Sequence, residues 1–133
     1  MVKVVEKISR NPNYNAYRVL YNNKEMKLTI LDLSTFSRVY RSFAAHEKAL
    51  KIGLNLPKII KTTEDNGILY RFTEWIIGKT LLKEFNSHID KIYNEYIDVL
   101  YNAGFEITDP YFGNFMLSNN RIICIDTKSL KEL

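Results

Sequence analysis

Two stretches rich in β-branched and aromatic residues, 2–8 and 16–21, predict strands separated by a turn-rich segment at 9–15. A third strand is predicted over residues 27–33, reached through the Asn22-Asn23 turn. Residues 37–53 read as a helix, with Phe43, Ala44 and Leu50 among its apolar positions and Glu47 in its body. Pro57 breaks that helix, and a strand begins near Ile59 and Ile60. Residues 68–74 predict a further strand, followed by a linker at 75–78. Apolar or aromatic residues at 89, 92, 93, 96, 97, 99 and 100 have helical spacing, and Gly104 stands where a helix stop belongs. Two short apolar runs, 115–117 and 121–125, are joined by Ser118, Asn119 and Asn120 and predict a hairpin. Strands, one helix, strands, a second helix and a hairpin make an α+β chain with two small lobes.

The hairpin matters because of what flanks it. Asp109-Pro110-Tyr111-Phe112-Gly113-Asn114-Phe115 precedes it, and Asp126 follows its second strand. The hairpin is expected to carry Asp126 back beside Asn114. A carboxylate and an amide carbonyl are hard oxygen donors of the kind that magnesium takes beside phosphate oxygens. A separate carboxylate, Asp109, is then placed to accept a proton from a hydroxyl. Two turn acids and a turn asparagine also account for the D-x4-N spacing taken alone. The context of helix before and hairpin after favours the chemical reading.

In its order of motifs the chain resembles the kinase-like phosphotransferase superfamily, in the branch of aminoglycoside phosphotransferases, RIO kinases and lipopolysaccharide core heptose kinases. Glu47, followed by Leu50, Gly53 and Pro57, is similar to the helix-to-strand passage of that family. Glu74-Trp75-Ile76-Ile77-Gly78-Lys79-Thr80-Leu81 resembles the interlobe hinge, and the Asp109 to Phe115 run resembles the catalytic loop of the small-molecule kinases. The resemblance implies a minimal protein-kinase-like bilobal fold. Its antiparallel N-lobe sheet and one helix occupy residues 1–77. A truncated C-lobe of helix, catalytic loop and hairpin occupies 78–133. It implies ATP and Mg as cofactors, Asp109 as base, and Asn114 and Asp126 on the metal. Glu47 would orient a cation from the third strand, and the backbone of Glu74, Trp75 and Ile76 would contact adenine.

Three departures from the family pattern bear on this reading. No glycine precedes Gly53, so a phosphate-covering loop at residues 10–15 lacks glycine's backbone freedom. The third strand presents Thr29 where the family has a lysine, and Lys27, two residues earlier on the same face, is the nearest cation. Seven residues follow Asp126, which leads to the expectation of a chain without the acceptor-binding helical subdomain. Ile92, Tyr96 and Leu100 would then have little to pack against, and a homodimer or a partner protein is expected to cover them.

Composition adds limits. The 133 residues, 46% hydrophobic, can bury a core. No apolar run is long enough for a membrane span and no secretory leader is visible. The single cysteine, Cys124, lies in an apolar strand and reads as a buried small hydrophobe. Without an intrachain disulfide, a cytoplasmic setting is expected. The net charge of +4 comes from scattered cations with no basic stripe, so no nucleic-acid partner is expected. His46 and His88 do not suggest a zinc site.

Three function classes follow. One is an ATP- and Mg-dependent phosphotransferase acting on a sugar, glycolipid or other small-molecule hydroxyl. The second is a pseudokinase that binds nucleotide or protein without phosphotransfer. The third is an unrelated α+β interaction protein.

Overall fold

In the computed structural model, which describes residues 2–8, 14–34 and 37–133, Asn22 and Asn23 take φ angles of 50° and 65°. Left-handed backbone at both centres of a two-residue turn matches the twist of the strands it joins. The turn links β2 (Tyr14–Tyr21) to β3 (Lys24–Asp32), whose last and first residues, Tyr21 and Lys24, pair directly. Asn66 and Gly67 repeat the device, at φ 52° and 79°, between β4 (Ile59–Asp65) and β5 (Ile68–Glu74). With β1 (Val2–Lys7) these strands form an antiparallel five-stranded sheet of order β1-β2-β3-β5-β4. Residues 10–13 of the predicted phosphate-covering loop lie outside the described residues.

The chain divides into two compact units. The first comprises Met1–Tyr40 and Lys58–Trp75, and the second Arg41–Pro57 and Ile76–Leu133. The sequence division at 77/78 assigns residues 41–57 to the first lobe, whereas their contacts group them with the second unit. Helix α1 (Ser37–Lys51) therefore begins in one unit and continues in the other. Ala45 and Ala49 of this helix belong to the second unit's core, which explains that grouping.

The sheet of the first unit has chemically distinct faces. Val19, Met26, Leu28 and Phe72 are buried together on one, with Tyr17, Tyr21, Ile30 and Tyr70 packed around them. The alternating positions Arg18, Lys27, Thr29, Arg71 and Thr73 fall on the other, because residues opposite one another in register share a face. The edge strand β1 is exposed throughout and carries a bulge between Val4 and Glu6. Such irregularity and its charged residues discourage pairing with another chain.

The second unit is built around α3 (Ser87–Asn102). Asn86 caps it by accepting a hydrogen bond from the Ile89 amide at 2.9 Å, and Gly104 ends it with φ 94°. Ile89, Tyr93 and Leu100 are buried, at helical spacing, against Leu81, Phe105, Ile107, Phe115, Ile122, Cys124 and Leu130. This corrects the expectation that the helix lacks partners. Leu100 is 1% exposed, and Ile92 and Tyr96 are half-buried against the same core.

Five short strands complete this unit. β6 (Lys79–Thr80) pairs with β8 (Phe115–Ser118), which pairs with β9 (Arg121–Cys124). Separately, β7 (Phe105–Ile107) pairs with β10 (Leu130–Glu132). Helix α2 (Leu81–Glu84) is a single turn between β6 and α3. Among the described residues no helix is long and apolar enough to cross a membrane.

Gly78 is where β6 approaches β8 too closely for a side chain. A Cβ there would lie 2.3 Å from the Leu117 carbonyl oxygen, which is backbone and cannot swing away. Gly78→Ala is expected to cost about 1 to 3 kcal/mol, the usual range for overpacking. Urea unfolding should show a lower midpoint, and an unchanged midpoint would refute the close approach.

Candidate functional site

The turn between β8 and β9 consists of Asn119 and Asn120 alone, with φ 52° and 60°. Ser118, predicted as part of the loop, pairs with Arg121 as the last rung of the ladder. This register puts Phe115 opposite Cys124 and continues one step further: the Ile125 amide donates to the Asn114 carbonyl at 2.8 Å. Asp126, the next residue, lies two positions past the end of β9, at the start of the 3-10 turn Thr127–Ser129.

Asn114 is fixed from several sides. Its amide nitrogen Nδ2 donates to the carboxylate Oδ2 of Asp109 at 3.1 Å and to the Asp109 carbonyl at 3.2 Å. Its backbone N–H donates to the Tyr111 carbonyl at 2.9 Å, closing a turn of 3-10 helix over Phe112–Asn114. Phe115 beside it is fully buried, with its ring edge-on to Tyr93 at 5.0 Å. Phe112 on the other side lies between Tyr93 and Phe85, at 4.9 and 5.4 Å. Gly113 lies under the Tyr111 ring, where a Cβ would meet the ring at 2.3 Å.

Because Nδ2 is turned to Asp109, Oδ1 is the amide atom left to act as an oxygen ligand. Oδ1 and the carboxylate of Asp126 are hard donors and fit magnesium by type. The backbone around Asp126 is also held. Its carbonyl accepts from the Ser129 amide at 3.2 Å and the Ser129 hydroxyl at 2.8 Å. Thr108, just before Asp109, donates its amide and its hydroxyl to the Ser129 carbonyl at 2.8 and 2.9 Å. The β7–β10 pairing thus ties the two acidic loops to one another, a feature that the sequence reading did not contain. Cys124 is fully buried, as expected of a small hydrophobe, with its thiol 3.6 Å from the Asp126 carbonyl.

Tyr96 connects α3 to this arrangement. Its hydroxyl donates to the Asn55 carbonyl at 2.7 Å and accepts from the Cys124 amide at 3.1 Å. Burial pushes its ionisation well above the ordinary tyrosine range, with Cys124 adding to the effect. Tyr93 is shifted the same way, again chiefly by burial.

The remaining predicted residues are carried by other elements of the chain. In the first unit, Lys27 is half-buried opposite Arg18 and Thr73, and Thr29 is buried opposite Ala16 and Arg71. The Glu74 carboxylate accepts from the Lys58 amide at 2.9 Å, and its own amide donates to the Lys58 carbonyl at 2.9 Å. Both contacts hold β4 to β5 where the linker begins. The Trp75 ring carries the Arg18 guanidinium 4.9 Å from its centroid, and Arg18 also pairs with Glu25. Ile76 is half-buried and belongs to the second unit. Glu47 is exposed on the part of α1 that belongs to the second unit. The pairings Arg18 with Lys27 and Thr29 with Arg71 put both arginines on the face of Lys27, which the sequence alone did not show. No protein-family model matches the chain, and no curated protein does.

Tyr96→Phe should cost about 1 to 3 kcal/mol, since the Cys124 amide and Asn55 carbonyl lose their shared partner. The fold favours the neutral hydroxyl, so its contribution is complete below the unfolded tyrosine pKa of about 10 and is lost as pH rises beyond it. Chemical denaturation across the alkaline range should therefore show a shallower decline for Tyr96→Phe than for wild type. Identical alkaline slopes would contradict the buried hydroxyl.

Proposed function

We propose that the protein is an ATP- and magnesium-dependent phosphotransferase with a kinase-like fold, acting on a small-molecule hydroxyl such as that of a sugar or glycolipid. The observation that carries this reading is the fixed triad of the second unit. Asn114 is bonded through its side chain to Asp109 and through its carbonyl to the strand leading into Asp126. A hydroxyl-directed base and two oxygen ligands are the groups that phosphoryl transfer requires of a protein, since its catalysis is mainly positioning and charge stabilisation.

In this reading Asp109 accepts the proton of the acceptor hydroxyl as that oxygen bonds to the γ-phosphorus. The bond from the γ-phosphorus to the bridging oxygen breaks, and ADP leaves with its electron pair. Magnesium, when bound, would neutralise charge on the phosphate oxygens. Asn114 supplies Oδ1 and Asp126 its carboxylate. The Nδ2 contact to Asp109 keeps the base and the ligand in fixed relation, so little reorganisation is needed at the moment of transfer. Lys27 and Thr29 of the first unit are assigned to the phosphates, the backbone of Glu74, Trp75 and Ile76 to adenine, and Glu47 to orienting a cation.

One observation favours a second reading, a nucleotide-binding pseudokinase. Thr29 is buried at the third-strand position where the resemblance expects a lysine. The two readings separate on turnover rather than on binding.

Saturating ATP at a hundredfold over Kd should add about 2.7 kcal/mol of apparent stability in the presence of magnesium. Asp126→Asn should abolish the magnesium-dependent part of that shift in a thermal melt. If wild type shows no such shift at millimolar ATP, the reading fails. Asp109→Asn retains an oxygen to accept from Asn114, so ATP affinity should hold while kcat falls by roughly 10²- to 10⁴-fold. An equal loss of affinity would instead make Asp109 a ligand or a structural cap.

A further inference from the structure

We propose that Ser129 is a positioning residue for the metal site, fixing Asp126 and Asp109 relative to one another through hydrogen bonds to the main chain of both acidic loops. The inference rests on the phosphotransferase reading and adds to it a residue that acts only through others.

The hydrogen bonds around Ser129 carry the argument. Its hydroxyl and its amide both donate to the Asp126 carbonyl, at 2.8 and 3.2 Å. Its own carbonyl accepts from the amide and the hydroxyl of Thr108, at 2.8 and 2.9 Å. One residue therefore bonds Asp126 on one side and the neighbour of Asp109 on the other. The turn Thr127–Ser129 is not capped by the Asp126 side chain, although aspartate is a favoured capping residue. It is closed instead at the Asp126 carbonyl, which accepts both bonds from Ser129.

Ser129 is itself held. It is 6% exposed, and Leu130 after it pairs with Ile107, both of them buried. Ser42 of α1, also buried, donates its hydroxyl to the neighbouring Lys128 carbonyl at 2.7 Å. Three hydroxyls, those of Ser129, Ser42 and Thr108, thus bond the carbonyls of Asp126, Lys128 and Ser129 in turn. Buried carbonyls need donors wherever they lie, and that need alone accounts for hydroxyls along such a turn. It does not account for one residue bonding both acidic loops at once. Groups behind a metal ligand set its orientation, and a misplacement of about 1 Å can cost 10²-fold in rate. Without the Ser129 hydroxyl, the Asp126 carbonyl keeps only the longer bond from the amide, and the backbone under its carboxylate is less firmly set.

The test is calorimetric titration of the full chain with ATP, once in magnesium and once in EDTA. Ser129→Ala should weaken ATP binding in magnesium by roughly 10-fold, the lower end of the loss on removing groups behind a metal ligand. Affinity in EDTA should stay at the wild-type value. Thr108→Val removes a hydroxyl at an exposed position and keeps the Thr108 amide bond, so it should act in the same direction. Thr108→Ser should restore wild-type affinity. The Thr108 pair decides the matter if Ser129→Ala does not fold. Asn86→Ala is the control: it removes the α3 cap from the same unit and should leave the gain from magnesium intact. A full gain from magnesium in Ser129→Ala and Thr108→Val overturns the inference and leaves the phosphotransferase reading standing. An equal loss in Asn86→Ala does the same. Wild type that gains nothing from magnesium removes that reading and the inference with it.

Discussion

The hydrogen bond from the Ile125 amide to the Asn114 carbonyl is the constraint on which the candidate site depends. It extends the β8–β9 ladder by one rung past its last strand pair and so decides which residue after the second strand adjoins the Asp109–Asn114 loop. A slip of one residue would reverse the faces of the whole hairpin, taking Ile122 and Cys124 out of the second unit's core and turning Asp126 elsewhere. The register is set at the opposite end by Asn119 and Asn120, whose paired left-handed backbone leaves no spare residue in the turn. Burial of Phe115, Ile122, Ile123 and Cys124 then makes the chosen register the stable one. Geometry at Asp126 is thus a consequence of turn chemistry one strand's length away.

The two units handle polarity differently. In the second, backbone carbonyls and amides do most of the positioning: Ser129, Thr108 and Tyr96 each bond main-chain groups. The acidic side chains are held at their bases, and the loops that carry them are tied to the β7–β10 pair. In the first, one face of the sheet is aromatic and aliphatic, while the other gathers Arg18, Lys27 and Arg71 with two buried threonines. Cations on one face of a sheet beside threonine hydroxyls suit an anionic ligand, whereas the acids of the second unit suit a cation.

Much of this was legible in the chain. The strand at Ile68–Glu74, the helix centred on Tyr93 and the 115–125 hairpin follow from periodicity and from asparagine turns, and these local signals survive folding. Asn66-Gly67, a strong hairpin signal, was available and would have joined β4 to β5 from sequence alone. The short strands β6, β7 and β10 were not legible, since two or three residues give no period and their pairing is with distant segments. The packing of Leu100 and Tyr96 was misjudged for a related reason. Their partners include residues of α1 and the loop at Leu54 and Asn55, which an expected division of the chain at 77 assigns elsewhere. At the site, residue types and spacing pointed to Asp109, Asn114 and Asp126, but the Asn114–Asp109 contact and the Ser129 tie required coordinates. Only cross-strand register shows that Arg71, rather than Lys27, stands next to Thr29.

The most direct measurement of the central claim uses manganese as a paramagnetic stand-in for magnesium in amide NMR of the wild-type protein. Addition of substoichiometric Mn²⁺ with ATP should selectively broaden the amides around Asn114 and Asp126 while leaving those of β1 sharp. Broadening centred on other acids, such as Asp90 or Glu106, or none beyond that seen without ATP, would contradict the assignment of a metal-nucleotide site to these residues.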